Sequence, residues 1–313
     1  MLARAEGEVA VLLSTWNGGR FLPAQLDSLM GQTHADWRLV WRDDGSTDDT
    51  VGLIRDFACR MPAGRFIEAE APGLRRGVTA SFLFLLRDAI RTVPGAAAYA
   101  FADQDDVWLP EKVARGAAAL AAVEGGMPAL YCARQVLVDQ DLARIGESGP
   151  LRDPPGFPAA LTQNIATGCT VMLNQAAARL VAASEPPAMT LHDWWSYLMV
   201  AAAGGRLIAD DAAVVLYRQH GGNAVGAPPS MPQRAAAALR RGPALFMSVF
   251  RGHVAALRAQ PHLLSPQAAR DVARIEGALR RGVLPRLACL ATQGLRRQTW
   301  PETMLFRLWF VIG

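Results

Sequence analysis

Short apolar runs alternate with segments of helical hydrophobic spacing through the N-terminal third of the chain. Val9 to Ser14 is a continuous apolar run and predicts a buried parallel strand. Trp16-Asn17-Gly18-Gly19 reads as a loop, and Phe21, Leu22, Leu26, Leu29 and Met30 then recur at helical spacing. Trp37 to Trp41 predicts a second strand, running into the acidic turn Arg42-Asp43-Asp44-Gly45-Ser46-Thr47-Asp48-Asp49. Val51, Leu53, Ile54 and Phe57 mark the next helix, Arg65 to Ala69 a third strand, Ser81 to Val93 a helix and Ala98 to Ala102 a fourth strand. That alternation predicts an α/β fold: a mostly parallel central sheet with crossover helices on its faces. In such sheets ligands bind outside the carboxyl ends of the strands.

Farther on, Leu130 to Val138 reads as an edge-like strand, Pro150 to Pro158 as a proline-rich connection and Ile165 to Leu173 as a strand. Gln175 to Ala183 and His192 to Ala203 read as helices, and Ala212 to Tyr217 as a last strand. Ala227-Pro228-Pro229-Ser230-Met231-Pro232 marks a boundary, so the expected organisation is an α/β domain over 1–226, a linker over 227–233 and a helical extension over 234–313. No internal repeat is visible.

A chain of 313 residues with 51% hydrophobic and 19% charged residues has the composition of a globular protein. No run approaches the roughly 18 apolar residues of a spanning helix, and the start does not resemble a secretory signal. Cys59, Cys132, Cys169 and Cys289 lie far apart without metal-ligand spacing and read as reduced thiols of a cytoplasmic protein.

The net charge of +4 is unevenly spread: from Arg234 onward 13 arginines face Asp271, Glu276 and Glu302, a net of +10, leaving −6 on the rest. Lys112 is the only lysine. Arginines mixed with apolar residues in the C-terminal helices suit an anionic membrane leaflet, and equally a helical cap with a solvated basic face. No aromatic-basic platform for nucleic acid is present.

Candidate chemistry gathers where strands end. Asp103-Gln104-Asp105-Asp106 follows the fourth predicted strand. Bunched carboxylates there repel one another, and a divalent cation with a phosphate-bearing ligand is the usual reason to keep them. An acidic turn capping the next helix is the plainer alternative. Asp43 and Asp44 end the second strand, where an acid can accept from a base or a ribose, or simply shape a turn. His192-Asp193-Trp194-Trp195 opens a helix; Asp193 there either favours the helix dipole or serves as a general base beside aromatic faces suited to a sugar. His220 follows the last strand and can ligate a metal or be solvated, and Arg218 beside it can meet a diphosphate.

Leu13-Ser14-Thr15-Trp16-Asn17-Gly18, Gln25-Leu26-Asp27-Ser28-Leu29, Gln32-Thr33, Asp43 to Asp48, Asp103 to Trp108, Gly168-Cys169-Thr170, His192 to Trp195 and Tyr217 to Asn223 together resemble, in order, the inverting family 2 glycosyltransferases of the GT-A fold. The nearest branch is similar to the rhamnosyltransferase-like enzymes of bacterial surface polysaccharides. The resemblance covers roughly Val9 to Gly226.

It implies a GT-A (Rossmann-like) sheet and a role for each matching residue. Ser14, Thr15 and Asn17 would cradle the nucleotide. Asp44, with Asp43 beside it, would recognise a pyrimidine base, and Arg75, Arg76 and Ser81 would lie in a donor-side loop. Asp103 and Asp105 match the Asp-x-Asp motif that holds Mn²⁺ or Mg²⁺ and the donor diphosphate, with His220 completing the metal site and Asp106 supporting the loop. Asp193 falls at the catalytic base, with His192 where the family usually has glutamate. His192, Trp194, Trp195 and Arg218 would meet the acceptor or the sugar.

The implied reaction is a single displacement. It would move a sugar from a nucleotide-sugar donor (dTDP-rhamnose, otherwise a UDP-hexose) to a hydroxyl of a lipid-linked oligosaccharide or a polysaccharide. The expected location is cytoplasmic or peripheral on the inner membrane face. Three rivals stand beside it. A nucleotidyltransferase needs a glycine-rich basic loop that Trp16 to Arg20 imitates poorly, and a phosphatase needs an aspartate where Ser14-Thr15 stands. A catalytically silent binding subunit would keep the same motifs.

Overall fold

A computed structural model gives the protein's structure over residues 7–69, 75–151, 154–221, 231–292 and 294–313, with the side chains of 231–241 and 292 outside the described set. The N-terminal alternation is realised as read. Strand β1 (Val9–Thr15) is followed by α1 (Leu22–Met30), β2 (Trp37–Asp43), α2 (Thr50–Arg60), β3 (Phe66–Glu68), α3 (Val78–Thr92) and β4 (Ala98–Ala102). Then come β5 (Val107–Trp108), α4 (Lys112–Ala121), β6 (Ala129–Val138), β7 (Arg144–Glu147), β8 (Met172–Asn174), α5 (Gln175–Ala183), α6 (His192–Ala202) and β9 (Arg206–Arg218). The extension holds α7 (Met231–Ala259), α8 (Pro266–Arg281), α9 (Val283–Thr292) and α10 (Trp300–Ile312).

The strands form one sheet in the order β3-β2-β1-β4-β8-β6-β9-β5, with β7 paired to β6. From β3 to β4 it is parallel. Beyond β4 it is mixed: β8 is antiparallel to β4 and β6, whereas β6 and β9 run parallel. Register sets Thr15 beside Asp43 and Leu13 beside Ala102, so β1, β2 and β4 end at one rim. Period-2 alternation sends Ala10 and Leu12 into the core under α3, α5 and α6, and Val9, Val11 and Leu13 into the core under α1, α2 and α4.

Three sequence expectations are corrected. Leu130 to Val138 is not an edge: β6 lies inside the sheet between β8 and β9. The strand expected over Ile165 to Leu173 is a loop with a tight 3-10 turn at Gly168–Thr170, and only Met172–Asn174 is strand. The last strand begins at Arg206, earlier than its apolar stretch, because Asp210 is satisfied by Arg115 and Tyr131 across the sheet. The expected linker falls on 227–230, outside the described residues, and on 231–233, which open α7.

The C-terminal helices share a core with the α/β layer. Phe250, Leu257, Phe306 and Phe310 are buried in the same cluster as Trp195, Leu198 and Phe82. His253 of α7 bonds the Thr190 hydroxyl just before α6 at 2.8 Å. Among the described residues no helix is long and apolar enough to cross a membrane.

Where α6 turns into β9 the chain has no room for a side chain. A Cβ on Gly205 would stand 2.4 Å from the Pro128 carbonyl oxygen and 2.8 Å from Val200 Cγ1. Gly205→Ala is therefore expected to cost about 1–3 kcal/mol and to lower the melting temperature by several degrees; an unchanged melt would contradict this packing.

Candidate active site

The loops after β1, β2 and β4 meet at the rim and are tied together by side chains. Asp43 shapes its own turn: Oδ2 accepts from the N–H groups of Gly45 and Ser46, and Oδ1 from the hydroxyls of Thr15 and Ser46. Asn17 takes a positive φ of 47°, and its Oδ1 accepts from the Thr47 N–H at 2.8 Å. The Gln104 amide pairs with both sides of Trp16, accepting from its N–H and donating to its carbonyl. Trp16 is exposed at this rim, with the Arg75 guanidinium 4.0 Å over its ring.

Asp44 is buried, and both its oxygens are engaged. Oδ1 accepts from Arg42 and from the Arg76 N–H, while Oδ2 accepts from the Gly77 N–H. Asp44 thus pins the loop that carries Arg75 and Arg76. Ser14 donates to Ser81, which also accepts from Arg42. The structure accordingly brings Ser14, Thr15, Asn17, Asp43, Asp44 and Arg76 into one network at the carboxyl ends of β1 and β2.

Beside it sits the acid cluster. Ligand atoms of Asp103, Asp106 and Cys169 lie within 4.8 Å of one another. Burial, then the charges of Asp106, Asp105 and Asp193, holds the Asp103 carboxyl well above the ordinary range. Burial and the Asp105 charge push Asp106 up to about 7, although the Cys169 thiol and Arg218 pull the other way. Asp106 accepts the Arg218 N–H on Oδ1, while its Oδ2 has no hydrogen-bond partner among the described residues.

A buried carboxylate oxygen with a spare acceptor, next to a second carboxylate, fits a divalent cation of the hard, oxygen-preferring kind. The sequence grouped Asp103 with Asp105 and His220. The structure instead sets Asp103 with Asp106, while Asp105 Oδ2 pairs with His220 Nε2 at 2.8 Å.

Arg218 braces this loop and does not stand open to solvent. Nε donates to the Asp105 carbonyl, Nη1 to the Gln140 carbonyl, and the guanidinium lies 4.6 Å from the Phe21 ring centre. Gly222 and Asn223, part of the same motif, lie outside the described residues.

Two residues escaped the sequence reading. Cys169 bonds Asp106 from the 3-10 turn. Lys112 is fully buried, its ammonium 3.3 Å from the Trp108 ring centre, and burial lowers its pKa to about 7 against the pull of Cys169, Asp106 and Asp103. Its signal was present: it is the only lysine in the chain, six residues after Asp106 and the first residue of α4.

Asp193 opens α6 and is 7% exposed. Its Oδ2 accepts the Gly168 N–H at 3.0 Å and its Oδ1 the Trp194 N–H at 2.5 Å. Burial nevertheless wins over these bonds and raises its pKa to about 6. Its neighbours face inward. His192 is stacked on Phe82 at 4.0 Å and edge-on to Phe101, with neither ring nitrogen hydrogen-bonded among the described residues, and burial lowers its pKa to about 3. Trp195 is buried and donates to Ser184, whereas half-buried Trp194 donates to the Ala160 carbonyl and meets His253 edge-on. Of the residues expected around an acceptor, His192 and Trp195 are thus core.

Gly168 keys this corner. A Cβ there would lie 2.9 Å from His192 Nε2 and 3.7 Å from Asp193 Oδ2, and the ring has no retreat between two phenylalanines. Gly168→Ala is expected to destabilise by about 1–3 kcal/mol and to lower whatever activity Asp193 supports. A variant that melts and performs like the parent would refute this.

Glycosyl transferase family 2 matches residues 10–148. An uncharacterized glycosyltransferase of Nostoc sp. is 30% identical over 109 residues, covering 34% of this chain and 31% of the relative. The dTDP-rhamnosyl transferase RfbG of Shigella flexneri is 28% identical over 103 residues, covering 32% and 34%. The matched part thus spans about a third of the length of these curated relatives.

Among solved structures, S. aureus TarS 1-349 in complex with UDP-GlcNAc superposes with a TM-score of 0.57 at 15% identity, over 91% of this chain and 79% of that one. The mannosyltransferase PcManGT of Pyrobaculum calidifontis, in complex with GDP-Man and Mn²⁺, gives 0.50 at 18%, over 99% and 87%. These likenesses establish the GT-A fold. Residues 10–148, which carry the acidic rim at the carboxyl ends of the parallel strands, are thus similar to the family 2 glycosyltransferases.

Proposed function

We propose that this protein transfers a sugar, with inversion, from a nucleoside-diphosphate donor to an acceptor hydroxyl, with Asp193 as the general base. The observation that carries this reading is the state of Asp193: buried, held by two backbone N–H groups, raised to about 6, and close enough to Asp103 for its charge to be felt there. A carboxylate with that pKa is ionised at neutral pH yet more basic than a solvated one. The acceptor O–H would give its proton to Asp193 as its oxygen bonds to the anomeric carbon. The bond from that carbon to the diphosphate oxygen breaks on the opposite face, and the electron pair leaves with the nucleotide.

The donor would lie along the rim. Asp44 Oδ2, with one bonded donor, keeps an acceptor direction for the ring N–H of uracil or thymine. Trp16 and Arg75 supply a face and a charge at the mouth. Asp103 and Asp106 would hold Mn²⁺ or Mg²⁺, with the Asp105–His220 pair beside them, and such an ion supplies charge neutralisation at the diphosphate.

Similarity to RfbG favours dTDP-rhamnose as donor, with a UDP-hexose second, since the two bases differ by a methyl group that Asp44 does not read. The acceptor is taken as a lipid-linked oligosaccharide or a growing polysaccharide.

Asp193→Asn tests the base directly. Asparagine keeps an acceptor for the Gly168 N–H, so nucleotide binding should hold while turnover, read as nucleotide released from the donor, falls about 10²–10⁴-fold. Turnover by an Asp193→Asn protein at the parental rate would move the base elsewhere.

The wild-type rate has a signed pH dependence. It should be flat above the Asp193 pKa of about 6 and fall about tenfold per unit as acid protonates the base. A rate undiminished at pH 5 would contradict the assignment.

A further inference from the structure

The outward side of α9 is apolar. Leu284, Leu287, Ala288 and Ala291 recur at the spacing of one helical face, and all are exposed, Leu284 by 79%. Cys289 and Leu290 turn inward and are buried. A helix on a water-facing surface normally shows the reverse pattern, with polar residues outward. The face continues onto α10 through exposed Leu308 and Ile312. Between the two helices lies a groove of about 560 Å³ lined by Leu287, Leu290, Ala291, Arg307, Leu308 and Val311.

The charges in the sequence around this face are mostly positive. α9 contains no acid, and residues 277–313 carry six arginines against Glu302 alone. Arg307 lines the groove, and exposed Arg281 leads into α9 through Gly282. Arg286, the one charged residue of α9, is drawn back onto the Leu279 and Val311 carbonyls, which leaves the outward stripe apolar. A second copy docked on this face by a two-fold axis would bring its basic rim against itself. An anionic lipid surface is complementary to both features, taking the leucines among its acyl chains and the arginines among its headgroups.

We propose that the α9–α10 face, built from Leu284, Leu287, Leu308 and Ile312 and rimmed by Arg281 and Arg307, docks the protein peripherally on an anionic phospholipid bilayer. The helices lie in the interface and do not cross it.

The test is flotation of the full chain with vesicles of phosphatidylcholine alone and with about one-third phosphatidylglycerol. The expected result is flotation with the anionic vesicles only, weakened by salt. A Leu284→Gln/Leu287→Gln/Leu308→Gln protein should partition more than about tenfold less, and each arginine changed to glutamine (Arg281→Gln, Arg307→Gln) should cost about fivefold. Melting curves and nucleotide-induced stabilisation confirm that each variant is folded.

Failure of the parent to float with anionic vesicles, or equal flotation of the leucine variant, overturns the proposal. So does sedimentation velocity showing a parental dimer that the leucine variant dissolves, which would give the face to a second copy. Flotation reads no turnover, so its outcome is separate from that of the transfer reading.

Discussion

Mutual repulsion among carboxylates at the carboxyl end of β4 is the constraint around which this fold is arranged. Asp103, Asp105 and Asp106 stand within four residues, and burial removes the water that would screen them. The chain answers from several directions. β9 delivers Arg218, whose N–H donates to the Asp106 carboxylate and whose guanidinium donates to the Asp105 carbonyl, and then His220, which takes the Asp105 carboxylate. The 3-10 turn brings the Cys169 thiol to Asp106, and α4 places Lys112 behind. The balance is incomplete, since the Asp103 and Asp106 carboxyls are still held above the ordinary range and one oxygen of Asp106 has no hydrogen bond among the described residues. On the proposed reading, a divalent cation would complete that balance and in turn carry the diphosphate.

The position of Asp193, the proposed base, depends on packing at a distance. Asp193 sits in the first turn of α6, and the angle of that helix is set by Trp195 in the core, by His192 wedged between Phe82 and Phe101, and by Trp194 against His253. His253 belongs to α7, so the C-terminal helices are part of what fixes Asp193. The same helices turn an apolar, basic-rimmed face away from the core. One extension thus steadies the Asp193 helix on one side and offers a surface on the other.

Much of this was legible in the residues. Apolar runs marked β1, β2 and β4 within two residues of their ends, continuous in β1 and β4, which are buried on both faces, and broken in β2 only by Arg38 before its acidic end. The acidic turns stood out because carboxylates are rare at such ends without cause. Gly168-Cys169-Thr170 was less legible: an apolar stretch reads as strand, and only the tertiary need to point an N–H at Asp193 makes it a turn. Val107–Trp108 was too short to show as a strand, and Arg144–Glu147 too polar. Direction was the larger gap. His192 and Trp195 beside an acid suggest a sugar platform by residue type, yet α6 turns both into the core. Which of Asp105 and Asp106 partners Asp103 depends on how the loop folds back on Arg218 and His220, and spacing alone does not carry that.

The central claim is that the acid cluster binds a nucleoside diphosphate together with a divalent cation. The most direct measurement is a melting panel with dTDP, UDP, GDP and CDP, each with and without Mn²⁺, on the parent and on Asp106→Asn. At a hundred times the dissociation constant a ligand adds about 2.7 kcal/mol, a shift of several degrees. The account predicts stabilisation by dTDP or UDP that requires Mn²⁺ and disappears in Asp106→Asn. Stabilisation indifferent to the metal, or none with any nucleotide, would contradict it.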